Sequence, residues 1–311
     1  MLFAFHFWVA GKAVQSARGK MRQWRRGIFA ALAWAVFLPA VAQNHQMGPG
    51  LPAAIDPAQG AAHLDAFREA RLQGDFCLRF QLTHLPRRGD ETVYEGVAWG
   101  TWNEQGPLTR FQLRPAAGSN NAPPDPALRD ANTWEWLVQN GPMPRVWVLA
   151  PGEKTPQELP PAAWPAPLFA GLVYTPFDLL MPFLYWQKFE YHGPTRLRGR
   201  VADLYVMLPP SDSTAAPVEV ALDREFNALL QAESLNDTRQ PVRQFQILDF
   251  EKVEGQWMMK TLDLLDLTKR DQDQFEVTAA ALNLRLDPAV FDPAHLAEPA
   301  TLPPAAAWQS L

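Results

Sequence analysis

The sequence predicts a mainly antiparallel β domain with a few helices, curled into a barrel or half-barrel, and three observations lead there. From Phe76 onward apolar residues recur with period two, as in strands buried on one face. About ten to twelve such segments follow one another, separated by short turns rich in Gly, Asn and Asp, which fits an up-and-down sheet. That many strands do not make one flat open sheet, so curvature is expected. With 311 residues and 47% apolar side chains the chain can bury a large core.

The elements can be justified in order. Residues 1 to 42 hold six basic residues and no acidic one. Met21-Arg-Gln-Trp-Arg-Arg26 forms a basic n-region, Gly27 to Leu38 an apolar run of about a dozen residues, and Ala40-Val-Ala42 a small-residue cleavage site, together a removable export signal. The run is shorter than the ~20 residues of a spanning helix. Met21 is the expected initiator, because the apolar patch Leu2 to Ala10 has no role ahead of a complete signal. Position 43 is Gln43 rather than cysteine, so the mature chain is not an evident lipoprotein. The expected address is the periplasm, with cleavage near Ala42.

Residues 43–55 carry Gly and Pro without periodicity and read as a flexible leader; 56–298 read as a single domain and 299–311 as a mobile tail. Asp56-Pro57 is an N-cap followed by proline in the first turn, and Leu64, Phe67 and Ala70 to Leu72 form a helical stripe ending near Gly74. Phe76, Leu78, Phe80 and Leu82 share one face of the first strand. In the second, Thr92 to Trp102, the small residues Gly96, Ala98 and Gly100 share a face, which lets the strand bend or lets something large pack on it. Leu108 to Leu113 completes a meander. After a Pro- and Asn-rich loop (Pro115 to Pro126), Thr133 to Val138 and Arg145 to Leu149 resume the sheet, and Pro151 to Pro167 is irregular. Thr175-Pro176-Phe177-Asp178 starts a short helix, with a cap, a proline in the first turn and an acid at the positive end of the dipole, which Pro182 kinks or ends. It is apolar on nearly every side through Trp186, so it is either buried all round or rests over an apolar concavity. Seven further strands follow between Gln187 and Leu284.

Several chemistries have no support. Without the first 42 residues the chain holds 22 basic against 33 acidic residues, a net charge of −11 that argues against a nucleic-acid partner. His63, His84, His192 and His295 show no metal-ligand spacing, so no metal is expected. There is no Gly-x-Ser-x-Gly elbow, phosphate loop or dinucleotide fingerprint, and no cofactor is expected. Asp263, Asp266, Asp271 and Asp273 could pair for acid–base work, but they flank a predicted hairpin turn with Lys269 and Arg270 between them, and a solvated turn is the better reading. Cys77 is the sole cysteine, sits mid-strand without a histidine partner, and reads as an inert thiol.

The unusual feature is aromatic content: 12 tryptophans. They either fill an ordinary core or line an apolar cavity, since a large curved sheet encloses more volume than its own side chains fill. On the second reading the cavity and its lid are built from Trp99, Trp102, Phe111, Trp136, Trp147, Phe177, Leu180, Met181, Phe183, Trp186 and Trp257.

The order of several short motifs resembles the outer-membrane lipoprotein-sorting (LolA-like) proteins over about residues 60 to 296. The motifs are Gly74-Asp75-Phe76, Arg87-Arg88-Gly89, the Gly96-to-Gly100 strand, Thr109-Arg110, Thr175-Pro176-Phe177-Asp178-Leu179, Arg198-Gly199-Arg200, Val253-Glu254-Gly255-Gln256-Trp257, and Phe291-Asp292-Pro293 to Leu296. The resemblance implies a half-open antiparallel β-barrel closed by helices, with an apolar cavity for acyl chains and an arginine that latches the lid. It implies a lipid or lipoprotein carrier without covalent chemistry, whose partners are a lipid or acylated lipoprotein and transport components of the inner or outer membrane. The alternatives are an envelope-regulating protein-interaction module of the same fold and, third, an enzyme. N-terminal sequencing of the exported form should begin at or near Gln43; a product that keeps Trp34 in the membrane fraction would contradict the export signal.

Overall fold

The computed structural model describes residues 56–116 and 132–311, so the expected targeting segment, the leader and most of the Pro115–Pro126 loop lie outside the described residues. Helix α1 (Pro57–Glu69) begins as its sequence predicts: Asp56 Oδ1 accepts the Ala58 amide at 3.0 Å, and Leu64 and Phe67 are buried. It ends before the expected Gly74 because Ala70 is already extended. On its other flank His63 Nδ1 lies 2.9 Å from the buried Asp203 carboxylate, and Tyr205 donates to the Gly60 carbonyl at 2.9 Å.

A first antiparallel meander comprises β1 (Asp75–Leu85), β2 (Thr92–Asn103), β3 (Gly106–Pro115), β4 (Trp134–Gln139), β5 (Arg145–Leu149) and β6 (Gln157–Glu158). A second comprises β7 (Lys188–Leu197), β8 (Arg200–Leu208), β9 (Val218–Asp223), β10 (Leu229–Leu235), β11 (Pro241–Val253), β12 (Gln256–Asp266) and β13 (Asp271–Leu284). They fuse into one sheet because β13 pairs with β1, Leu78 facing Ala280 and Phe80 facing Val277. The strand order is β6-β5-β4-β3-β2-β1-β13-β12-β11-β10-β9-β8-β7, so the sheet is open and curved, with β6 and β7 as its outer edges. The strand pattern read from the sequence holds; the additions are β6 and β14 (Gln309–Ser310), two residues each and too short to show a period.

The small residues of β2 have a local reason. Phe76 lies opposite Gly100 and Phe80 opposite Gly96, and a Cβ at either glycine would collide with the phenylalanine ring. The sheet therefore buries two aromatic rings against its own backbone.

Each face carries a core. One combines Leu78, Phe80 and Leu82 with Phe111, Trp136, Tyr205, Phe245, Phe275 and the α1 residues Leu64 and Phe67. The other combines Cys77, Val97, Trp99, Leu137 and Leu149 with Val290, Phe291, Leu296 and Ala300 from the C-terminal segment. The expected mobile tail is thus corrected: residues after 299 are seated on the sheet. Trp99 Nε1 donates to the Thr301 carbonyl at 3.0 Å, the Arg79 guanidinium stacks 4.5 Å over Trp308, and β14 pairs with β13 at Ala279 and Ala280. No local pattern announces these contacts, since every partner is more than 25 residues away in the chain. Underneath, the buried Arg110 donates to Glu135 at 3.0 Å and to the carbonyls of Leu296 and Glu298 at 3.2 and 2.7 Å.

Cys77 is fully buried beneath this segment, and burial pushes its thiol pKa up. At pH 8 a thiol reagent should leave native Cys77 untouched and label it fully in denaturant. Cys77→Ser should cost about 1 kcal/mol and leave any ligand binding intact; rapid labelling of the native protein would show that the outer face is not sealed.

Candidate functional site

Because β6 and β7 are opposite edges of the open sheet, residues 159–187, which join them, must cross from one wing to the other. They contain α2 (Pro176–Leu180), which touches β4 and β5, and a 3-10 turn, Pro182–Tyr185, which touches β8. The capping box foreseen in the sequence is present: Asp178 accepts from the Thr175 amide at 2.8 Å and returns its own amide to Thr175 Oγ1 at 3.3 Å. The helix stops after five residues because Met181, preceding Pro182, turns to φ 40°, outside the right-handed region that a following proline disfavours. Of the two outcomes read from the sequence at Pro182, a kink or an end, the helix takes the second.

Four polar side chains from four elements bolt this segment down. Asn140, just after β4, donates to the Leu179 and Leu180 carbonyls at 2.9 and 2.7 Å. Arg68 of α1 donates to the Leu184 and Trp186 carbonyls at 2.6 and 3.0 Å. Arg243 of β11 donates to the Val173 carbonyl at 2.9 Å and to Asp178. Asp273 of β13 accepts the Val173 and Tyr174 amides at 2.7 and 2.9 Å, while its other oxygen lies 2.7 Å from His84 Nδ1 on β1. Burial pushes the Asp273 carboxyl above its ordinary range, against the pull of His84. Burial and the nearby carboxylates of Asp273 and Asp178 push the Tyr174 hydroxyl well up as well. Asp273 is thus a structural anchor, in place of the solvated turn expected for it; of the others, Asp271 borders the turn, Asp266 is buried and accepts the Thr268 and Lys269 amides there, and Asp263 lies within β12 opposite Gln274.

The eleven residues expected to line one cavity fall into separate places. Phe111, Trp136, Leu180, Met181 and Phe183 meet in the inner core, at 4% exposure or less. Phe177 and Trp186 stand at the surface end of that group, ring centroids 6.5 Å apart. Trp99 and Trp147 are a correction: they lie on the other face, under the C-terminal segment, because strand neighbours alternate and Ala98 and Val148 take the inner positions. Trp102 sits beside Arg71 near the end of α1, and Trp257 packs on Phe226 in the far wing, so neither joins the group. The periodicity of β2 and β5 carries this information, since Trp99 is out of phase with the Gly96–Gly100 face.

What the crossing segment does form is a groove of about 680 Å³ on its outward side. Trp164, Phe177, Pro182, Tyr185 and Trp186 wall it, with residues 212–216 opposite and Arg243 at one end. Trp164 and Tyr185 were not expected there; Trp164 lies in the proline-rich stretch whose lack of period conceals its partner. The arrangement offers apolar contact and a few hydroxyls, and among the described residues no group of His, Cys, Asp and Glu is placed to hold a metal.

The open, curved antiparallel sheet with few helices is a LolA-like fold. Solved structures share that fold. A DUF1329 family protein from Desulfovibrio piger superposes with a TM-score of 0.62 at 12% identity, over 78% of this chain and 100% of that one. A putative outer membrane lipoprotein-sorting protein domain from Vibrio parahaemolyticus gives 0.62 at 13%, over 77% and 97%. A LolA superfamily protein from Nitrosomonas europaea gives 0.52 at 12%, over 77% and 98%. No family model and no curated protein matches the sequence. At these identities the likeness establishes the fold.

The clamp can be tested through Asp273. Asp273→Ala leaves two buried amides without an acceptor and should cost about 3 kcal/mol in urea unfolding, whereas Asp273→Asn keeps an acceptor and should cost under about 1.5 kcal/mol. The wild-type carboxyl has a raised folded pKa, so its contribution is greatest in acid and declines as pH climbs above the ordinary 3.8. The stability difference should accordingly move in favour of Asp273→Asn as pH rises through that window. Equal losses for the two variants would mean that the amides do not depend on this side chain.

Proposed function

We propose that the protein is a periplasmic carrier or binding protein, without covalent chemistry, for an acyl chain borne on a lipid or lipoprotein, held in the groove over residues 159–187. The observation that carries this reading is the groove itself. Its volume lies within the roughly 300–1,000 Å³ of small-molecule sites, its wall is aromatic and proline-rich, and the segment beneath it is rigidly anchored. Each buried methylene contributes about 0.8 kcal/mol, so ten would supply ~8 kcal/mol before ordering costs, enough for firm binding by contact alone. The export signal read in residues 1–42 supports the periplasmic address, and the LolA-like fold supports a sorting role served by membrane transport components.

The protein-interaction reading has its own support. The concave side is occupied by a continuous cluster of buried side chains, and Met143, next to the groove residues Pro142 and Pro144, is 65% exposed, an apolar tip that a partner could cover. Native mass spectrometry of protein from its own envelope separates the two. A stoichiometric, solvent-extractable lipid supports the carrier; a lipid-free protein in complex with another chain supports the regulator.

Two truncations locate the binding surface. Leu180 is fully buried, so Leu180→Ala should cost ~3 to 4 kcal/mol. Phe177 is half-buried at the groove. Phe177→Ala should cost only about 1–2 kcal/mol but weaken binding of a fluorescent fatty acid roughly tenfold. Unchanged affinity per folded molecule in Phe177→Ala would remove the groove as the site.

A further inference from the structure

The charges at the groove narrow its ligand, and this step rests on the acyl-binding reading above. Only two of its lining residues are charged, Asp212 and Arg243. Arg243 is not available to an anion. Its guanidinium is bound to the Asp178 carboxylate and the Val173 carbonyl, and that carboxylate is itself fixed by the Thr175 amide and hydroxyl at 2.8 and 2.6 Å. Asp212 is exposed and has no ion-pair partner among the described residues. The fixed charge facing the groove is therefore negative, in a mature chain whose own balance is −11. The remaining polar lining consists of the hydroxyls of Thr175, Tyr185, Ser213, Thr214 and Ser234 and the indole N–H groups of Trp164 and Trp186, of which the Thr175 hydroxyl is engaged by Asp178 and the Trp164 N–H by the Leu159 carbonyl.

We propose that the ligand is an uncharged amphiphile, a long acyl chain esterified to a neutral polyol, and that anionic amphiphiles of the same chain length are discriminated against at this groove. The aromatic wall takes the chain and is indifferent to the head. The hydroxyls can both donate to ester carbonyls and accept from polyol O–H groups. A phosphate or carboxylate finds no free cation, would have to break the Arg243–Asp178 pair to gain one, and stands near the unpaired Asp212 instead.

The test uses the delipidated mature chain, with tryptophan fluorescence reporting on Trp164 and Trp186. Monopalmitoylglycerol and palmitoyl-lysophosphatidylglycerol, each below its micelle concentration, are titrated at low and at 0.5 M salt. The neutral ligand should bind at least tenfold more tightly at low salt, and high salt should narrow the gap, because screening weakens only the charge term. Asp212→Lys should cut the discrimination to threefold or less, chiefly by tightening binding of the anionic ligand. Equal or tighter binding of the anionic ligand to the wild type overturns the proposal while leaving the acyl-binding reading standing, and undiminished discrimination in Asp212→Lys overturns Asp212 as its source. Failure of both ligands to bind removes the acyl-binding reading itself, a result distinguishable from either.

Discussion

The pairing of β13 with β1 is the contact on which the rest of the structure depends. It joins segments nearly two hundred residues apart and fuses two meanders into one curved sheet. Its register sets Asp273 opposite His84 and turns the Asp273 carboxylate toward the backbone of residues 173 and 174. A slip of one residue would send that carboxylate to the opposite face, along with Phe275 and Val277. The same strand also receives β14, so the C-terminal segment depends on it too.

The crossing segment follows from that frame. An open sheet leaves an apolar inner face that must be covered, and the chain runs from one edge strand to the other across it. Leu179, Leu180 and Met181 fill the inner core, but a five-residue helix has too little hydrogen bonding of its own to fix its position. Asn140, Arg68, Arg243 and Asp273 supply the missing anchorage, each to a backbone group that the short turns leave unpaired. Fixing the segment by its polar backbone leaves Phe177 half-buried at its surface, against the buried Trp186, where the groove lies.

The arrangement gives a division of labour between the faces. The outer face is closed by the C-terminal segment around Trp99 and the Arg110–Glu135 pair, which reads as structural. The inner face is closed by the crossing segment, which carries the groove.

The sequence by itself determined the elements. Period-two alternation located the long strands, Asp56-Pro57 and Thr175-Pro176 located both helices, and the small residues of β2 marked a place where the strand bends or something large packs, without naming Phe76 and Phe80 as the partners. These are local signals, because backbone conformation and the alternation of side chains are decided within a few residues. What only the tertiary structure decided is which elements meet. The periodicity of β2 and β5 sets Trp99 and Trp147 on the face opposite Ala98 and Val148, but only the tertiary structure shows that the C-terminal segment covers them; residues 300–310 are seated although their composition looks mobile; and Asp273 and Arg243, indistinguishable from surface charges along the chain, become anchors when distant strands bring amides and a carboxylate to them. Burial is a property of the neighbours that long-range pairing supplies, and no short window of sequence contains them.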